Sequence, residues 1–178
     1  MPKTAVEYTD YLRETMAVLA DPGCLLATQG KDGTQNAMTI GWGTLGIIWG
    51  RPVFVVLVRP SRYTWTLLEE NGDFTVNVPP PELRRAVGIC GSKSRRDYDK
   101  FIETGLTPVP SARVAAPLIE ECVVTYECRT IHKNQVMPDA LAPAVVKDCY
   151  RSGDFHTLYY GQILGVLADA DARERLKS

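Results

Sequence analysis

The segment Arg59-Pro60-Ser61-Arg62-Tyr63-Thr64 gathers two guanidinium groups and two aliphatic hydroxyls where an apolar strand runs directly into helix-forming residues. The first amides of a helix have no partner inside it, and with the helix dipole behind them they attract anions. Ser61 and Thr64 add hydroxyl donors at that point. Arg59 or Arg62 adds a planar fork able to grip a phosphate through two parallel hydrogen bonds. The chemistry on offer is recognition of one phosphate monoester. The same residues also read as a serine N-cap beside two solvated arginines, and both readings stand on the local sequence.

A second group lies in Asn36-Ala37-Met38-Thr39-Ile40-Gly41-Trp42, where Asn36 and Thr39 interrupt an apolar strand. Polar groups in a barrel wall need partners. The Asn36 amide both donates and accepts, which suits the pyrimidine edge of a flat heterocycle, while Met38 and Trp42 offer soft and aromatic surface to its faces. In the alternative, Met38 and Trp42 are core residues and Asn36 belongs to a turn. A third group, Ser92-Lys93-Ser94-Arg95-Arg96-Asp97-Tyr98-Asp99-Lys100-Phe101, is dense in charge. It is either a solvated loop or a source of Lys100, with Lys93 or Ser94, for the anion held at Ser61 to Thr64. Asp97 is the expected N-cap of the helix carrying Lys100.

The chain has two histidines, His132 and His156. His156 opens a strand, where it either reaches a ligand or serves the structure. The sequence contains no G-x-S-x-G, H-E-x-x-H or C-x-x-C pattern, so nucleophilic and metal-assisted hydrolysis are unsupported. No catalytic residue and no metal ligand is assigned. Cys90 follows a short helix and reads as a small apolar residue. Gly41-Trp42-Gly43-Thr44-Leu45-Gly46 matches the dinucleotide fingerprint G-x-G-x-x-G. That pattern works only where it opens a long helix followed by an acid about 20 residues on. Ile47-Ile48-Trp49-Gly50-Arg51-Pro52 is too β-branched for such a helix, so the glycines read as a bend or turn beside a strand or cofactor.

The elements that must position these groups follow from periodicity. Tyr8, Tyr11, Leu12, Met16 and Leu19 predict a helix over residues 5–19, stopped at Asp21-Pro22-Gly23. Two strands, 24–29 and 36–40, flank a Gly30-Lys31-Asp32-Gly33 hairpin turn. Residues 47–49 and 53–58 read as a buried strand broken at Gly50-Arg51-Pro52. A helix over 65–70 ends at Asn71-Gly72, and a strand covers 74–78. Short helices are expected at 82–89 and 98–103, an extended connection at 106–117, and long strands at 118–131 and 155–167. Between the last two lies an irregular loop, 133–153, longer than a hairpin needs. The sum is one domain, mainly β: a closed or partly closed antiparallel β-barrel with flanking helices.

The composition agrees. With 178 residues, 45% hydrophobic and a formal net charge of -1, the chain can bury a full core without disulfides. Balanced charge offers no field for nucleic acid or an anionic bilayer, so neither partner is expected. No apolar run reaches the ~20 residues that span a membrane. Five cysteines and an N-terminus carrying Glu7 and Asp10 suggest a cytoplasmic protein with reduced thiols.

Taken together, Asn36-Ala37-Met38-Thr39 with Trp42, Arg59 to Thr64, Asp97 to Phe101, and Asp154-Phe155-His156 with Tyr160-Gly161-Gln162-Ile163 make the chain similar to the flavin reductase-like family. The resemblance runs over residues 24–167. It implies an FMN-binding split barrel of antiparallel Greek-key type, a two-fold homodimer, and one FMN per subunit near the interface. It places Asn36, Ala37, Met38, Thr39 and Trp42 around the isoalloxazine and ribityl chain. Arg59, Ser61, Arg62, Tyr63 and Thr64 fall in the phosphate-binding turn, and Lys100 and His156 at polar positions near the flavin. It implies NAD(P)H as electron donor, with free flavin or a partner protein as acceptor. The protein then need supply only shape, phosphate charge and a hydrogen-bonded ring edge. A non-catalytic FMN carrier or sensor is the rival reading. The 133–153 loop and Arg95, which stands where many relatives have Gly, are departures that leave the electron-donor site undefined.

Overall fold

The computed structural model describes residues 3–177. Among these the chain forms ten strands and six α-helices. The first half runs β1 (Thr4–Ala5), α1 (Leu12–Ala20), β2 (Cys24–Gln29), β3 (Gln35–Ile40), β4 (Gly43–Ile48), β5 (Arg51–Val58), α2 (Tyr63–Asn71) and β6 (Asp73–Val78). The second runs α3 (Arg84–Ser92), α4 (Lys100–Thr104), β7 (Pro108–Val109), β8 (Leu118–Ile119), β9 (Val124–Gln135), α5 (Pro143–Cys149), β10 (Thr157–Ala168) and α6 (Ala172–Arg175).

Seven strands pair in the order β3-β2-β6-β9-β10-β5-β4, with β1 added beside β10. Every pairing is antiparallel. Strand β5 lies beside β10 while β6, β9 and β10 are successive neighbours, which is Greek-key order. The two ends of this sheet, β3 and β4, are joined by Gly41-Trp42 alone. Three Cα–Cα steps reach roughly 11 Å, so the edges must meet and the sheet must curl. No ladder joins β3 to β4, which leaves the barrel split along that seam.

The curl gives the sheet an inside. Leu26, Phe54, Val56, Phe74, Val76, Tyr126 and Tyr159 fill it, and Leu19 of α1 packs with them. Outside β2 and β3, a second cluster of Leu25, Ala27, Ala37, Val87, Cys90 and Phe101 lies under α3 and α4. Burial on both faces explains why β2 is continuously apolar over Cys24 to Ala27 rather than alternating.

Several boundaries differ from the sequence expectation. The chain at Thr4–Ala5 pairs with Leu167–Ala168, and Lys3 reaches Asp169 at 2.9 Å, so the first helix starts only at Leu12. The supposed broken strand is a hairpin: Trp49 and Gly50, both at positive φ (53° and 68°), turn β4 into β5. Gly43 to Gly46 therefore sit in β4, not at a helix start. The expected strand 118–131 is two pieces, because Leu118–Ile119 pairs with β7 and a turn precedes Val124. Strand β9 instead runs on to Gln135, paired with Thr157, and the expected irregular loop contains α5 with Pro143 at its first position. Asp99, not Asp97, caps α4 by accepting from the amides of Phe101 and Ile102.

Gly161 allows the tightest approach in the barrel. A Cβ there would lie 2.2 Å from Phe74 Cζ and 2.9 Å from Cys128 Cβ. Gly161→Ala is therefore expected to cost about 1–3 kcal/mol through overpacking, read as a lower denaturant midpoint at unchanged slope. Gly46→Ala, with nothing within 4 Å, is the control and is expected to leave the midpoint nearly unmoved.

Candidate functional site

Two adjoining cavities open along the seam, of about 320 and 180 Å³, sharing Met38, Arg59 and Arg62. Strand β3 supplies one wall, the β5–α2 turn a second, the α3–α4 connection a third and residues 150–156 the last. The larger cavity is polar and cationic, lined by Arg59, Arg62, Lys93, Arg95, Arg96 and Lys100 against one carboxylate, Asp154. The smaller carries the aromatic rings of Trp42 and His156 with Thr39, Ile40, Gly41 and Leu57, beside the shared Met38, Arg59 and Arg62.

Asn36 and Thr64 stand in the larger cavity, each about 1% exposed. Asn36 Nδ2 donates to Thr64 Oγ1 at 2.8 Å, tying β3 to the first turn of α2 across the seam. Its Oδ1 is buried without a partner, an acceptor left unfilled beside the cavity. Tyr63 lines the same cavity under the Arg96 guanidinium, 5.6 Å from the ring centre.

Ser61 and Arg62 behave differently from the expectation. The N-cap of α2 is Arg62, with no side-chain cap, and the Ser61 hydroxyl instead donates to Asp154 Oδ2 at 2.6 Å while its amide donates to Oδ1 at 3.3 Å. Asp154 reaches this position because Gly153 and Asp154 both take positive φ. Arg62 donates to the Gly91 carbonyl at 3.3 Å and otherwise faces both cavities. Arg59 is committed more heavily. Its guanidinium donates to the carbonyls of Cys149, Gly153 and Asp154 at 2.8–3.3 Å and lies over the Tyr150 ring. It holds the 149–154 segment in place while lining both cavities.

Lys100 is 4% exposed, and its Nζ donates to the carbonyls of Ala37 and Cys90 at 3.0 and 2.9 Å. Burial pulls its pKa down to about 8, with the Arg62 charge adding to the fall and Cys90 opposing it. Ala37 differs from its expected place: its side chain packs beneath α3 and α4, and only its carbonyl serves the site, through Lys100. Thr39 lines the smaller cavity, but its hydroxyl donates to the Val87 carbonyl at 2.5 Å and joins β3 to α3. Met38 is common to both cavities.

In the aromatic half, Trp42 lies 5.1 Å from the His156 ring, and Tyr150 meets both edgewise. His156 Nδ1 and the Tyr150 hydroxyl are 2.8 Å apart. Phe155 stacks on Tyr150 at 4.7 Å. Sequence reasoning missed Tyr150 and Ser152, on the segment read as irregular, and the role of Asp154 just beyond it. The Gly153-Asp154 pair was the available signal, since both residues tolerate the left-handed region. Among the described residues no cluster of three metal-ligating side chains occurs.

An open antiparallel barrel with a cation-lined cleft along its seam defines the class: a split-barrel protein. The chain matches the flavin reductase like domain over residues 16–176 and belongs to that family. An Archaeoglobus fulgidus protein is 35% identical over 131 residues, covering 74% of this chain and 64%, just under two thirds, of its own length. A Pyrococcus abyssi protein is 30% identical over 150 residues, 84% of this chain and 75% of its own. Among solved structures, the flavoredoxin of Desulfovibrio vulgaris (Miyazaki F) superposes with a TM-score of 0.68 at 29% identity, over 84% of this chain and 70% of that one. The Methanosarcina acetivorans flavoredoxin gives 0.67 at 26%, over 84% and 69%.

Burial, with Arg59 and Arg62 close by, lowers the His156 pKa to about 4 from 6.5, Asp154 pulling the other way. Below pH 6.5 the unfolded chain takes up a proton that the folded chain refuses, so stability falls as the pH drops toward 4. The melting temperature of the wild type is expected to decline across this window more steeply than that of His156→Gln, with the two curves parallel above pH 7. Thermal melts by circular dichroism measure the difference.

Proposed function

We propose that this chain binds FMN along the seam, with the phosphate in the larger cavity and the flat ring system in the smaller, and that it works as a flavin reductase or a flavoredoxin-like electron carrier. The observation carrying this reading is the pairing of the two cavities: one cationic and hydroxyl-lined, one aromatic, joined through Met38, Arg59 and Arg62. FMN supplies reversible hydride and single-electron chemistry when bound. The chain's residues fit it. Among the described residues, Arg59, Arg62, Lys93, Arg96 and Lys100 form no ion pair with a carboxylate, so their charge is available to a dianionic phosphate. The unpartnered Asn36 Oδ1 suits a hydroxyl or N–H donor of the ligand.

Trp42, Met38 and Leu57 would exclude water from the ring, and His156, held neutral by burial, would offer a hydrogen bond without adding charge. NAD(P)H would be the electron donor in this reading. A two-fold homodimer belongs to the same proposal, and the exposed Ile47 and Trp49 of the β4–β5 hairpin, 58% and 61% exposed, are apolar surface available to it. No helix among the described residues is long and apolar enough to cross a membrane.

Purified protein soaked with FMN is expected to be yellow, and anaerobic NADH or NADPH to bleach it. A flavin that binds but resists both donors would leave only a carrier or sensor. Arg62→Ala is expected to weaken FMN by about 1.5–3 kcal/mol, roughly 10- to 150-fold, the worth of a hydrogen bond to a charged group. Riboflavin, lacking the phosphate, is expected to bind far more weakly than FMN, which fluorescence titration of both flavins measures.

A further inference from the structure

We propose that Lys100 couples anion binding in the larger cavity to uptake of a proton from solvent, so that at alkaline pH the cleft holds a phosphate monoester through a proton acquired on binding. The inference rests on the flavin reading above for the identity of that phosphate.

Lys100 opens α4 and lines the larger cavity, yet it is 4% exposed. Two of its N–H groups are committed, one to the Ala37 carbonyl on the edge strand β3 at 3.0 Å and one to the Cys90 carbonyl at 2.9 Å. Cys90 lies in the last turn of α3, where carbonyls lack partners inside the helix, and Arg62 donates to the next carbonyl, that of Gly91. The lysine nitrogen is tetrahedral. Its own stem and the two carbonyls take three positions, which leaves the fourth for the cavity. An ammonium carries a third N–H there, and an amine a lone pair. One proton therefore decides whether an anion meets a donor or an acceptor at this atom.

The surroundings set how firmly that proton is held. Among the described residues no carboxylate pairs with Lys100. The β5–α2 turn brings Arg59 and Arg62 to the same cavity, and the α3–α4 connection brings Lys93, Arg95 and Arg96. From α3 comes Cys90, whose thiol burial pushes up to about 11. Strand β3 contributes Asn36 and Met38, which do not titrate, and Asp154 is engaged by Ser61. Burial, and then the Arg62 charge, bring the Lys100 pKa down to about 8. A dianion supplies the missing counter-charge and favours the ammonium form.

Calorimetric titration of the full-length protein with FMN, at each pH in two buffers of different ionisation heat, counts the protons. About three quarters of a proton per FMN is expected to be taken up at pH 8.5, where Lys100 of the free protein is mostly amine, and almost none at pH 7. The phosphate monoester, with a second pKa of about 6, and His156, at about 4, change little across this range. Wild-type affinity for FMN is expected to fall roughly tenfold from pH 7 to 9, while that of Lys100→Met stays flat with no proton taken up. Riboflavin is expected to bind wild type without uptake. Absence of uptake by wild type at pH 8.5, or equal uptake with riboflavin or in Lys100→Met, overturns the proposal, and the wild-type count stands whether or not the variant folds. Failure of FMN to bind at pH 7 would instead remove the flavin reading, and inorganic phosphate added to the same protein then decides the proton count.

Discussion

The link from β3 to β4 is two residues long, yet it joins strands at opposite ends of a seven-strand order. No flat sheet can satisfy it. The curl it enforces encloses the aromatic and β-branched core, and it also creates a seam where backbone pairing stops. Both cavities lie on that seam, with β3 on one side and the β5–α2 turn on the other. The hydrogen bond from Asn36 to Thr64 ties the edge strand β3 to the first turn of α2. The cleft is thus a by-product of how the barrel closes, and Trp42 is delivered to it by the linking residues themselves.

The second organising contact is Arg59. Three carbonyls of the 149–154 segment accept from its guanidinium, and the Tyr150 ring lies beneath it. Removing this half-buried guanidinium would leave those three carbonyls without their shared donor. The arrangement fixes Tyr150, and through Tyr150 the ring of His156 and the edge of Trp42. The cationic half of the cleft and the wall of its aromatic half are therefore built around one side chain.

Much of this was legible in the chain because local chemistry and tertiary role coincide. Arg59 to Thr64 reads as an anion site from its place after an apolar strand, and the structure puts all of its named side chains at the larger cavity. Gly72 ends its helix in the left-handed region, at the Asn71-Gly72 stop read from the sequence, and Gly105 does the same for α4. What escaped the sequence depends on long-range register. Ala37 and Met38 are adjacent in β3, and only pairing with β2 and cover by α3 decides that Ala37 faces the second core while Met38 faces the cleft. The length of β9 was hidden for a similar reason: Lys133, Asn134 and Gln135 are polar and exposed, and pairing with β10 alone makes them strand. Tyr150 and Asp154 lay in a stretch with no periodicity, positioned by an arginine some ninety residues earlier.

Asp154 has one more consequence. Its carboxylate already sits on the hydroxyl and amide of Ser61, the donors best placed for a phosphate. The protein thus carries its own surrogate anion, seated through the left-handed bend at Gly153-Asp154. A singly charged solute such as acetate or chloride gains nothing by displacing it, since it offers no more charge than the group it evicts. A doubly charged phosphate on a long ligand gains both charge and the remaining contacts of the cleft. In the flavin reading, such a seat would discriminate among anions by valence before any ring is recognised.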